Sequence, residues 1–89
     1  MVKFRKLPEL AYRTINGKAY IVNPKDSTLH ELNETGTFIW ELLESPAGEK
    51  EISAKLAAEY RIPRSKARED AVKFLSSLKR KKLLATTDE

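Results

Sequence analysis

The rhythm of apolar and polar positions changes near Asn33, from strand-like before it to helix-like after it. Leu10 to Ile15 and Lys18 to Asn23 are short runs rich in β-formers, separated by Asn16-Gly17. That pair suits a two-residue hairpin turn, which needs positive φ at both positions. Asn23-Pro24-Lys25-Asp26 supplies a second turn, after which Ser27 to Leu32 returns as a third strand. Leu29 and Leu32 have opposite parity, so strict alternation fails. Either a bulge or an early exit into the next helix reconciles them.

Asn33 can cap a helix with its side-chain oxygen, and Glu34 puts negative charge in the positive first turn. The spacing of Thr35, Phe38, Ile39, Leu42 and Leu43 predicts a core-facing helix from about Glu34 to Glu44, ended by Pro46 and Gly48. Ile52, Leu56, Ala57 and Tyr60 mark a second helix over Glu49 to Tyr60. Pro63 opens a third, longer helix whose apolar face is Ala67, Ala71, Phe74, Leu75 and Leu78, continuing to about Lys82. Lys79-Arg80-Lys81-Lys82 complements the negative end of that helix's dipole, and the tail after Leu84 is expected to fray. Three strands followed by three helices imply an α+β fold, a three-stranded antiparallel sheet on a helical cluster. One domain spans residues 1–89, with an ordered core over about 8–84.

A three-stranded sheet has two edges, and each must be blunted or used. Ser27-Thr28-Leu29-His30-Glu31-Leu32 contains neither Lys nor Pro, so its backbone is competent to accept an added strand.

The net charge of +4 is segregated: +5 over residues 1–25, −6 over 26–60 and +7 over 61–82. A basic third helix attracts nucleic acid or an acidic peptide, although most charged helix faces are simply solvated. The longest apolar runs fall far short of the roughly 18 residues of a spanning helix, and Leu7-Pro8-Glu9 interrupts any secretory signal. Together with the absence of cysteine, which excludes disulfides and thiolate metal ligands, this points to a cytoplasmic protein without membrane attachment.

Catalytic equipment is not visible. There is one histidine and no cysteine, so no nucleophile–base–orienter set can be drawn. His30 with Glu31 and Asp26 does not make a metal site, because adjacent strand residues face opposite ways and one imidazole is too few for zinc. Gly17, Gly36 and Gly48 are isolated, so no phosphate loop exists. No cofactor is implied.

Leu32-Asn33-Glu34-Thr35-Gly36 followed by Phe38-Ile39-Trp40-Glu41-Leu42-Leu43 resembles the hallmark of the PqqD family. More of that pattern follows in Gly48, in Ile52 to Tyr60, in the Ile62-Pro63 step, and in Asp70, Val72, Phe74, Leu75 and Leu78. The resemblance covers roughly residues 8–84, with one departure at Lys82, where relatives often have glycine. It implies a winged-helix-like domain that binds the leader of a ribosomally synthesised precursor peptide and presents it to a maturation enzyme. Such domains serve pyrroloquinoline quinone synthesis beside a radical SAM protein, and lasso-peptide pathways beside a leader peptidase. By the same resemblance the leader adds to the third predicted strand and lies against the third helix.

The candidate peptide-binding residues are therefore Thr28, Leu29, His30, Glu31 and Leu32 on the strand, with Arg68, Asp70, Val72, Leu75 and Lys79 on the helix. A competing reading is a winged-helix DNA-binding protein, with Arg64, Arg68, Lys73 and Lys79 to Lys82 on phosphates. The acidic first two helices oppose that docking, and no side chain stands out as a base reader. Whether two copies form a homodimer stays open.

Overall fold

A computed structural model of the chain describes residues 2–88, with Asp88 described by its backbone alone. Eight elements follow one another: β1 (Val2–Lys6), β2 (Ala11–Ile15), β3 (Lys18–Asn23), β4 (Thr28–Glu31), α1 (Glu34–Leu42), α2 (Glu49–Tyr60), α3 (Arg64–Arg80) and β5 (Leu84–Asp88). The α+β arrangement and the three-stranded antiparallel sheet, ordered β2-β3-β4, are those expected. A second sheet was not: β1 pairs antiparallel with β5, Phe4 opposite Thr86. The segment expected to fray is therefore a strand, held by the other end of the chain. Phe4 is also tied to Ala47 by two backbone hydrogen bonds of 2.8 and 3.1 Å.

The hairpin between β2 and β3 turns on Asn16 and Gly17, with φ of 52° and 79°, as the sequence demands. The parity conflict between Leu29 and Leu32 is resolved by early exit. Leu32 is buried, Leu29 is 67% exposed, and β4 stops at Glu31. A hydroxyl makes this exit feasible. Leu32 N–H donates to Ala19 O (2.9 Å), but Ala19 N–H donates to the Thr37 Oγ1 on α1 (2.8 Å), and Thr37 O–H donates back to Leu32 O (3.3 Å). One side chain thus replaces one rung of the ladder, keeps a buried amide satisfied and starts the helix. Asn33 completes the start, its Oδ1 accepting Gly36 N–H at 2.8 Å.

The core lies between the inner face of the three-stranded sheet and the helices. Its fully buried large side chains are Ile21, Ile39, Trp40, Ile52, Leu56, Leu75, Leu78 and Leu83. The end of α3 explains the Lys82 departure. Lys82 has φ 63°, Leu83 N–H donates to Leu78 O (2.9 Å) and Lys82 N–H to Lys79 O (3.0 Å). This is a Schellman cap, whose left-handed position favours glycine.

Candidate functional site

The backbone register decides which atoms of β4 are available. In an antiparallel ladder, pairs that exchange two hydrogen bonds alternate with pairs that exchange none. Partners across β3 and β4 are Asn23↔Thr28, Val22↔Leu29, Ile21↔His30 and Tyr20↔Glu31. Since Leu32 donates to Ala19, the bonded pairs on this side are those of His30 and Thr28. The N–H and C=O groups of Leu29 and Glu31 consequently point away from β3, at the free edge. The same alternation, counted from the two-residue turn, leaves Tyr12 and Thr14 outward on β2, the opposite edge.

Side chains split the other way. Thr28 and His30 share the inner face with buried Ala19 and Ile21, whereas Leu29 and Glu31 stand on the outer face with Val22 and Tyr20. His30 is engaged in a short relay. Thr28 Oγ1 lies 2.6 Å from Asp26 Oδ1 and 2.8 Å from His30 Nε2. A carboxylate only accepts, so the threonine gives its proton to Asp26 and accepts from a protonated Nε2. The hydrogen bond from the Thr28 side chain outweighs desolvation and, with lesser help from backbone amides and His30, holds the Asp26 carboxyl below its ordinary value of 3.8.

Two contacts place the α3 region near the two ends of this strand. Asn23 Nδ2 donates to Lys82 O (3.4 Å) beside the start of β4, and Phe74 packs on Gly36 just beyond its end. Helical spacing then gives Asp70, Phe74, Ser77 and Lys81 as the flank of α3 on the β4 side. Asp70 is bound to Lys66 at 3.3 Å, Phe74 and Ser77 are half-buried, and Lys81 is exposed.

Of the helix residues expected to meet a peptide, Asp70 lies on this flank. Arg68 lies on the other, its Nε 3.0 Å from Glu49 Oε1 at the start of α2. Val72 and Lys79 are exposed on that same far side, and Leu75 is 1% exposed within the core. On the strand, Leu29 and Glu31 present their backbone groups at the edge and their side chains on the outer face. Thr28 and His30 turn their backbones inward, and Leu32 is core. Phe74, Ser77 and Lys81, which the sequence reading did not name as site residues, share the flank that meets Gly36.

Elsewhere the molecule is poor in chemistry. A depression of about 500 Å³ between α2 and α3, lined by Lys50, Ser53, Arg64 and others, is spanned by the Arg68–Glu49 ion pair. Another, of about 410 Å³, lies beside Lys6, whose ammonium sits over the rings of Tyr12 and Trp40 at 4.3 and 4.7 Å and pairs with Glu44 at 3.0 Å. Among the described residues no group of three or more His, Cys, Asp or Glu is placed to hold a metal ion, and no helix is long and apolar enough to cross a membrane.

Known proteins share this fold. TbiB1 in complex with the TbiA(beta) leader peptide superposes with a TM-score of 0.83 at 28% identity, over 90% of this chain and 93% of that one. A lasso peptide synthetase B1 complexed with its leader peptide gives 0.81 at 22% identity, over 92% and 96%. The PqqD truncation of Methylobacterium extorquens PqqCD, a stand-alone recognition element for ribosomally synthesised and post-translationally modified peptides, gives 0.76 at 16%, over 93% and 88%. The latter two show a shared fold. No curated protein matches by sequence. Residues 18–84 match the profile of coenzyme PQQ synthesis protein D (PqqD), and the chain belongs to the PqqD family.

Proposed function

We propose that this protein captures the leader of a ribosomally synthesised precursor peptide as an added strand on β4 and presents it to the enzyme that modifies or cleaves that precursor. The observation that carries the reading is the outward pair Leu29 and Glu31, an unpaired ladder edge beside the Phe74 flank of α3. TbiB1, which shares this fold at 28% identity, is known in complex with a leader peptide.

Backbone pairing supplies affinity with little demand on sequence, so selectivity resides in side chains. Leader residues that turn inward lie next to Thr28 and His30 and face Asp70, Phe74, Ser77 and Lys81. A leader that is disordered when free loses conformational entropy on capture, and Phe74 offers the apolar surface that offsets it. The receiving enzyme is a radical SAM protein or a leader peptidase, and meeting a newly made precursor places the protein in the cytoplasm. Duplex DNA fits this surface less well. Lys66, Arg68 and Lys73 on α3 are paired with Asp70, Glu49 and Glu69, so of the cations a duplex would need, Arg64 stands at one end of the helix and Lys79 to Lys82 at the other.

The test is a titration of the labelled leader of the precursor encoded beside this gene, followed by amide NMR. Shifts are expected at residues 28–33 and along 70–81. Binding of duplex DNA with a steep salt dependence, and no binding of leader at tens of micromolar, would refute it.

A further inference from the structure

The outer face of the three-stranded sheet is organised in rows that run across the strands and stop at β4. Ala11, Val22 and Leu29 are consecutive partners, as are Arg13, Tyr20 and Glu31. The first row is apolar and open to water, Val22 at 42% exposure and Leu29 at 67%. In the second, Glu31 lies one strand beyond Tyr20, and its carboxylate reaches diagonally to Lys18 Nζ at 3.4 Å with both side chains half exposed. An exposed leucine on an unblunted edge is a liability unless something covers it.

A strand added to β4 continues both rows. Leu29 and Glu31 carry the outward backbone groups, so the leader residues paired with them exchange hydrogen bonds and turn their side chains to the outer face. All ladders among the described residues are antiparallel, which is also the more stable pairing per residue. The leader then meets Glu31 first and Leu29 two residues later. Opposite Glu31 an acid is repelled and a base is attracted; opposite Leu29 an apolar side chain covers the exposed leucine and lengthens its row.

Resting on the capture reading above, we infer that the leader carries Lys or Arg, then any residue, then an apolar residue, in that N-to-C order, seated over Glu31 and Leu29. The middle residue turns inward beside His30 and faces α3. Glu31 and Leu29 are thus specificity-determining side chains on the face away from the helix, read independently of the groove.

Random dodecapeptides displayed on phage, selected against the intact chain and against its Glu31→Lys and Leu29→Pro variants, test this. The intact chain enriches the basic–any–apolar motif, with acids at the first position depleted up to about fivefold, the range of a single cross-strand pair. Glu31→Lys inverts the first position to Asp or Glu and leaves the apolar one unchanged. Leu29→Pro, which removes an outward donor, enriches no motif. A motif that disappears with Leu29→Pro yet ignores Glu31→Lys, or that appears in the reverse order, overturns the register and leaves capture standing. A motif that survives Leu29→Pro, or no motif on the intact chain, overturns both.

Discussion

Gly36 lies so close to Phe74 that a β-carbon built on it would stand 2.7 Å from Phe74 Cε1 and 3.2 Å from Asn33 Oδ1. The first turn of α1, immediately after the candidate edge strand, is pressed on α3. Gly36→Ala gains helix propensity but must displace the ring, and overpacking of this kind costs roughly 1–3 kcal/mol. We predict a net loss of about 1 kcal/mol by urea denaturation, abolished when Phe74→Leu is combined with it. Equal losses in both backgrounds would show that the contact is not what fixes glycine here.

The Thr37 hydroxyl accepts the Ala19 N–H in a buried setting. Thr37→Val keeps the shape and removes both hydrogen bonds, so it is expected to cost about 1–3 kcal/mol, as for any orphaned buried amide. Thr37→Ser should retain most of the stability. Denaturant midpoints of the two variants make the comparison.

Lys82 occupies the left-handed position of the α3 cap with φ 63°. Relieving that strain with Lys82→Gly is predicted to stabilise by up to about 1 kcal/mol, or on the order of 4 °C in Tm for a domain of this size. A neutral or lower Tm would mean that the lysine side chain contributes something the cap geometry does not reveal.

Asp26 titrates low chiefly because Thr28 hydrogen-bonds it. A carboxyl with a depressed folded-state value contributes stability that is present above 3.8 and is lost as pH falls through the lower folded value. A carbonyl-detected NMR titration should place the Asp26 midpoint below 3.8, and Thr28→Val should move it upward.

Much of this was readable from the chain, where the cause was local. Asn16-Gly17 names its turn, Asn33 its cap, and the mismatch of Leu29 with Leu32 already required a departure, although the hydroxyl of Thr37 that makes it could not be foreseen. The pairing of β1 with β5 was not readable, because it joins opposite ends of the chain and alternation within a strand carries no record of its partner. That β4 is an edge followed from the strand order, but the lack of Lys and Pro did not single it out, since β2 at the other edge has neither. Which flank of α3 turns toward the β4 side was not legible, since Asp70, Phe74 and Lys81 on one flank and Arg68, Val72 and Lys79 on the other have equal claim until Phe74 meets Gly36 and Arg68 meets Glu49.

Register also separates two proline variants that look equivalent in sequence. The Leu29 amide points outward, so Leu29→Pro should leave stability within about 1 kcal/mol while abolishing leader binding. His30 donates toward β3, and His30→Pro should instead destabilise the sheet by about 1–3 kcal/mol. Thermal melts and leader titrations on both proteins distinguish the two effects.

Amide hydrogen exchange on the chain, free and saturated with leader, addresses strand addition most directly. In the free protein the amide of His30 is protected by β3, whereas those of Leu29 and Glu31 exchange rapidly. Leader binding should slow Leu29 and Glu31 selectively and leave the outward amides of Tyr12 and Thr14 on β2 unchanged. Rapid exchange at Leu29 and Glu31 in the saturated complex would contradict capture on β4.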